Sequence, residues 1–198
     1  MFVFKTNGNA FERQAKLMSL DNYNDGFGWM AALTNGSIVA AAKWQDIYKG
    51  RALVFSSKEP PSFPEVQTIV APNTNGTVSL MYGISIAILD NKMVIGAPHV
   101  GVPIFEADGR FNQTGLAFVY QLDRQSGEWI LVKTLLALDG KTGEDSDWFG
   151  VSTAISSSYV AVGSSRNDNA NGPGAGAVYL FHLDQFADSA SSSKPLLQ

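Results

Sequence analysis

Residues 82–98 read YGISIAILDNKMVIGAP, two short apolar runs about a polar dipeptide, closing on Gly96-Ala97-Pro98. Alternation around a tight turn is the signature of a β-hairpin. The same pattern recurs without gaps at Phe27 (FGWMAALTNGSIVAAAK) and at Phe149 (FGVSTAISSSYVAVGSS). In each copy an aromatic-Gly pair opens the unit, Ala32, Ala87 or Ala154 stands five residues on, and Ala41, Gly96 or Gly163 follows nine residues later. Small residues at fixed places point to close backbone approach. The dipeptide Asn35-Gly36 predicts a type I′ turn with both central residues at positive φ, a geometry that Asp90-Asn91 also tolerates.

Two further blocks repeat in the same order. Gly50-Arg-Ala-Leu-Val-Phe55 aligns with Gly115-Leu-Ala-Phe-Val-Tyr120 and Gly176-Ala-Val-Tyr-Leu-Phe181, a strand apolar on both faces and therefore expected to be buried on both. Phe2-Val3-Phe4 reads as the tail of one more copy. FERQAKLMSLD from Phe11 aligns with FPEVQTIVAPN from Phe63 and WILVKTLLALD from Trp129, a more charged strand that admits Pro64, as an outer or edge strand does. The unit is thus four antiparallel strands in about 50 to 65 residues, the size of one β-propeller blade. Such a sheet has two apolar faces that only its neighbours can cover.

Composition agrees. At 198 residues, 45% apolar and 16% charged, the chain has ample material for a core, and no segment sustains the 3.6-residue spacing of a helix. The expected fold is all-β, a partial propeller over residues 1–184 with repeats beginning near 27, 82 and 149. A Ser-rich flexible tail is expected over 185–198. A net charge of −4 with no cluster of Lys or Arg argues against nucleic acid as a partner. Without cysteine there are no disulfides or thiolate sites. No run of apolar residues approaches a membrane span, and MFVFKTNG is not a signal peptide.

Phe27-Gly28, Tyr82-Gly83 and Phe149-Gly150, together with Gly96-Ala97-Pro98, resemble the FG-GAP repeat of integrin α-chain propellers, and the finer pattern is most similar to the prokaryotic-type branch. Only the second copy keeps the full GAP; the others read Ala41-Ala42-Lys43 and Gly163-Ser164-Ser165. The resemblance implies a binding or adhesion module placed outside the cell or at its surface. Two other roles are open: an accessory propeller of a phospholipase-type hydrolase, and a calcium-stabilised adhesion module. The family's calcium loop, D-x-D-x-D-G between the first two strands of a blade, is replaced here by tight turns. Asp21 to Gly26 has Tyr23 where a second oxygen ligand belongs, and Asn167, Asn169 and Asn171 have the spacing without the charge, so no metal and no cofactor is expected.

Propellers close with about 4 to 8 blades, and thirteen strands of the four types make little more than three. The expectation is a piece of a larger ring that self-associates through its open ends. In an up-and-down blade the links between strands two and three emerge beside those between blades, and the long segments here are all of these kinds. On them sit the candidate ligand contacts for a protein or glycan. Trp44, Asp46 and Tyr48 either form an aromatic-acidic patch or pack on the neighbouring blade. Phe105, Arg110 and Phe111 either anchor a partner or fold down their own loop, and Arg166 and Asp168 pair locally or with water. Glu144, Asp145 and Asp147 form an acidic group on a blade link. His99 and His182 have no sequence-local Ser or Asp arrangement, and no catalytic residue is expected. Three glycosylation acceptor patterns, at Asn35, Asn75 and Asn112, are accounted for by composition.

Overall fold

A computed structural model describes residues 1–19, 25–42, 50–72, 81–99, 115–137 and 147–186. Among these residues thirteen strands follow one another: β1 (Phe2–Asn7), β2 (Ala10–Lys16), β3 (Phe27–Thr34), β4 (Ser37–Ala42), β5 (Arg51–Ser56), β6 (Glu65–Val70), β7 (Ser85–Leu89), β8 (Lys92–Ala97), β9 (Leu116–Leu122), β10 (Trp129–Leu135), β11 (Phe149–Ile155), β12 (Tyr159–Ser164) and β13 (Ala177–His182). A 3-10 turn, Leu183–Phe186, follows. The strands form an N-terminal pair β1-β2, two four-stranded sheets β3-β4-β5-β6 (sheet I) and β7-β8-β9-β10 (sheet II), and a three-stranded sheet β11-β12-β13 (sheet III). Every pairing is antiparallel between chain neighbours, which is the meander of a propeller blade.

The aligned blocks hold one register. Ala31↔Ala40, Ile86↔Ile95 and Thr153↔Val162 are equivalent pairs of first and second strands. Val39↔Val54, Val94↔Val119 and Ala161↔Leu180 are the matching pairs of second and third strands. Even the irregularities recur. The outer strand skips one residue at the same place in each copy, leaving Gln14, Val66 and Val132 unpaired opposite Val3/Phe4, Val54/Phe55 and Val119/Tyr120. A bulge at an edge bends the strand and increases its twist.

The aromatic-Gly pair is itself a turn. Trp29, Ile84 and Val151 donate their N–H to the carbonyls of Gly26, Met81 and Trp148 at 3.0, 3.0 and 3.1 Å. The glycine at the third position of each turn has φ of 86°, 89° and 94°. That is the position of a type II turn at which a side chain is disfavoured, so the glycine is dictated by the backbone. The type I′ expectation for the hairpin turns is corrected: only Gly36 (φ 123°) and only Asp90 (φ 53°) are at positive φ, one central residue per turn. The tight Thr34↔Ser37 and Leu89↔Lys92 closures need no second one.

The cores lie between sheets. Val39, Ala41, Ala52 and Val54 of sheet I meet Tyr82, Ile95, Phe118, Tyr120 and Trp129 of sheet II. Val94, Ala117 and Val119 of sheet II meet Phe149, Val160 and Val162 of sheet III, with Tyr179 and Phe181 alongside. Val3 and Leu17 of the N-terminal segment meet Phe27, Leu53, Phe55 and Phe63 of sheet I. Each sheet thus offers a face of small and β-branched side chains to the bulkier aromatic face of the next. Third strands are buried on both sides in sheets I and II, as expected, but Val178 and Leu180 in β13 are exposed, because no sheet follows them among the described residues.

In the seams between sheets I and II and between sheets II and III, the turn glycine of the later sheet sits on the second-strand end of the sheet before. A Cβ on Gly83 would come within 2.9 Å of Ala41 Cβ and 3.4 Å of the Arg51 carbonyl. A Cβ on Gly150 would strike the Leu116 carbonyl and approach the Ala97 nitrogen to 3.1 Å, and one on Gly96 would collide with the Gly150 carbonyl. Phe27, Tyr82 and Phe149 occupy matching places, each against the equivalent aromatic of its own third strand: Phe27 lies 6.1 Å from Phe55 and Phe149 lies 6.2 Å from Phe181 between ring centroids, and the Tyr82 hydroxyl donates to that of Tyr120 at 2.7 Å.

Candidate functional site

Register fixes which edge of the structure carries the long segments. The rows Phe27↔Ala42↔Arg51↔Val70 and Phe149↔Ser164↔Ala177 place the start of the first strand beside the end of the second and the start of the third. Segments 43–49 and 73–80 leave sheet I from that row, and segment 165–176 leaves sheet III from its equivalent. The opposite edge holds the tight hairpin turns and the links 57–64 and 123–128. Trp44, Asp46, Tyr48, Phe105, Arg110, Phe111, Glu144 and Asp145 lie outside the described residues. On this edge the seam between sheets II and III is described.

At that seam Trp148 stands one residue before the aromatic-Gly turn with φ of 58°, a left-handed conformation uncommon for a large side chain. The guanidinium carbon of Arg166 lies over its ring, 4.1 Å from the centroid, and His99 packs on it with 5.3 Å between centroids and a tilt of 46°. The buried Asp147 anchors the group through its backbone. Its carbonyl accepts from the Ser164 hydroxyl at 2.6 Å and from the Arg166 N–H at 3.2 Å. Burial, and then the Arg166 charge, hold the His99 pKa below its ordinary value, which leaves a neutral imidazole beside the cation at neutral pH.

The two described candidates do different things. Arg166 is exposed on the ring of Trp148. Asp168 turns inward to its own loop, where Oδ1 accepts the Gly174 N–H at 2.7 Å. The asparagines that had metal-like spacing serve the same loop. Asn167 donates to the Tyr179 hydroxyl at 3.0 Å, Asn169 donates to the Gly176 carbonyl at 2.8 Å, and Asn169 Oδ1 accepts from the Asn171 N–H at 2.9 Å. Asp25, at the place of Asp147 in sheet I, accepts the Phe27 N–H at 2.9 Å and so caps the turn it precedes. Among the described residues no group of three or more His, Asp or Glu is placed to hold a metal ion. His182 is 3.3 Å from the Asp184 carboxylate and stacks edge-on against Tyr159 at 4.8 Å. Trp148 is the residue that sequence reading passed over; its one signal is an aromatic where the first copy has Gly26.

No helix among the described residues is long and apolar enough to cross a membrane. No curated protein matches the chain. Residues 129–181 match the family model described as FG-GAP repeat. That stretch runs from β10, the outer strand of sheet II, through the three strands of sheet III. Residues 129–181 thus match an FG-GAP repeat, and the register they share with the sheets before them gives the chain a propeller-like, all-β architecture consistent with an FG-GAP repeat protein.

Proposed function

We propose that this chain is a non-catalytic interaction platform that presents the long-segment edge of its sheets to a protein or glycan, outside the cell or at its surface. The observation that carries the reading is the sorting of long segments to one edge of a rigid scaffold, where binding residues concentrate. At the described end of that edge, Arg166 is held flat on Trp148 in reach of solvent. A stacked guanidinium keeps its fork of donors available at reduced entropic cost. His99 and His182 face an aromatic ring and a neighbouring carboxylate rather than a nucleophile, which gives hydrolysis no starting point among the described residues.

The test is binding of the whole chain to arrayed glycans and surface proteins, repeated with Arg166→Ala on the long-segment edge, with Asp46→Ala in the segment 43–49, and with Arg124→Ala on the opposite edge. The expected result is a ligand whose affinity falls at least about tenfold, or roughly 1.4 kcal/mol, with the first two variants and is unchanged with the third. Binding indifferent to all three, or turnover of ester or glycosidic substrates, overturns the reading.

A further inference from the structure

The two outward faces of the described sheets are the two halves of the seam that the sheets build between them. Phe2, Phe4 and Phe11 stand at the places of Phe118, Tyr120 and Trp129, the aromatic wall that sheet II turns to sheet I. Val178 and Leu180 stand at the places of Ala117 and Val119, the small wall that sheet II turns to sheet III. In the internal seams these positions are closed: Trp129 is 2% exposed and Val119 is 1% exposed. At the ends the same positions are open, with Phe11 76% exposed and Leu180 69% exposed. An aromatic wall and an aliphatic wall left bare on one chain are far more contiguous apolar surface than scattered exposed residues require.

We propose that a second copy of this chain covers them, the Phe2-Phe4-Phe11 face of one copy seating on the Val178-Leu180 face of the other. The contact is heterologous, since it joins two different patches. A complete sheet is not needed to make it. The pair β1-β2, with only third and fourth strands, already forms a packed seam on its other side, where Val3 and Leu17 close against Phe55 and Phe63. Two copies joined at both ends bring twice the thirteen described strands of one, about six and a half four-stranded blades, within the roughly 4 to 8 that close a propeller. The assembly is a closed dimer with two equivalent seams.

The test uses two variants of the full chain, Phe2→Asp with Phe4→Asp, and Val178→Asp with Leu180→Asp, in sedimentation velocity. All four side chains are exposed in one copy, so the sheets themselves keep their cores; threonine in place of aspartate at 178 and 180 gives a second, strand-compatible version. The wild type is expected as a dimer, and each variant alone as a monomer. An equimolar mixture of the two variants is expected to recover a dimer, because each brings the wall the other has lost. A wild-type monomer overturns the proposal, as does a mixture that stays monomeric. A Phe2/Phe4 variant that still dimerises alone overturns it in favour of a face-to-face contact between two sheets III.

Discussion

The hydroxyl of Ser85 donates to the carbonyl oxygen of Gly150 at 2.8 Å, tying the first strand of sheet II to the turn that opens sheet III. Both groups are buried, and each satisfies the other. The bond exists because two glycines let two backbones meet: Gly96 leaves room for that carbonyl, and Gly150 leaves room for the Leu116 carbonyl. Aromatic-Gly and Gly-Ala-Pro are in this sense one feature, the two sides of a seat between consecutive sheets. Sheet I shows the seat surviving drift: Ala41 replaces Gly96 there, and its methyl lies 2.9 Å from where a Cβ on Gly83 would stand.

Alanine at the turn glycines should therefore cost different amounts in different copies. Gly28→Ala meets only Met1 Cβ at 3.8 Å, so its cost is the left-handed backbone alone, about 1 to 2 kcal/mol. Gly150→Ala adds a collision with main chain that cannot rotate away, and its loss should reach about 3 kcal/mol or more. Urea unfolding of the two variants compares them directly; equal losses would mean that the seat yields.

Tyr82 and Tyr120 share a hydrogen bond of 2.7 Å between their hydroxyls inside the seam of sheets I and II. Burial is the main cause that raises both pKa values, Tyr82 well above the ordinary 10.0 and Tyr120 to about 12. The unfolded chain releases these protons near pH 10 while the folded one keeps them, so stability is full below pH 10 and falls as pH rises from there through about 12. Tyr82→Phe should cost about 1 to 2 kcal/mol by stranding the Tyr120 hydroxyl, and adding Tyr120→Phe should cost less than the sum. The double variant should also lose most of the alkaline slope, measured as the urea midpoint at pH 9 against pH 11. A slope unchanged in that variant would place the alkaline loss elsewhere.

The repeat was legible because equal backbone constraints recur at equal spacing: the glycines at 28, 83 and 150 and those at 50, 115 and 176 all have positive φ. Ungapped blocks therefore translate into identical register, bulges included. What spacing cannot carry is a contact made across a seam. Arg166 meets Trp148 because the second-to-third link of sheet III folds back on the turn that begins that sheet, and His99 arrives from sheet II; no periodicity joins those three positions. Gly36 and Asp90 show the opposite failure, since residue types suited to a type I′ turn also fit one needing a single positive φ.

The His99, Trp148 and Arg166 stack has a titration to test. Arg166→Ala removes the second of the two causes that hold the His99 pKa down and leaves the first, burial. The His99 ring protons, followed by NMR, should titrate at higher pH in the variant than in the wild type while staying below the ordinary 6.5. In the wild type the depressed value means that the unfolded state takes the proton first, so this group's contribution to stability falls as pH drops through 6.5. A His99 pKa that is unmoved by Arg166→Ala would remove the guanidinium from the ring's surroundings in solution.

Gln67 clamps the outer strands of sheets I and II: its Oε1 accepts the Trp129 N–H at 2.8 Å and its Nε2 donates to the Trp129 carbonyl at 3.0 Å. A side-chain amide is the group that satisfies a peptide's donor and acceptor together. Gln67→Ala should cost about 1 to 2 kcal/mol, the net value of two hydrogen bonds whose partners regain only partial access to water. Gln67→Glu separates the two halves. A carboxylate still accepts from Trp129 N–H but sets negative charge against its carbonyl, whereas a protonated carboxyl can donate there. The Gln67→Glu variant should therefore be less stable than the wild type at neutral pH, with a deficit that narrows as pH falls through the carboxylate range near about 4.3. Thermal unfolding of both proteins between pH 7 and pH 4 measures the difference, and a deficit independent of pH would show that only the accepting half of the clamp holds the two sheets together.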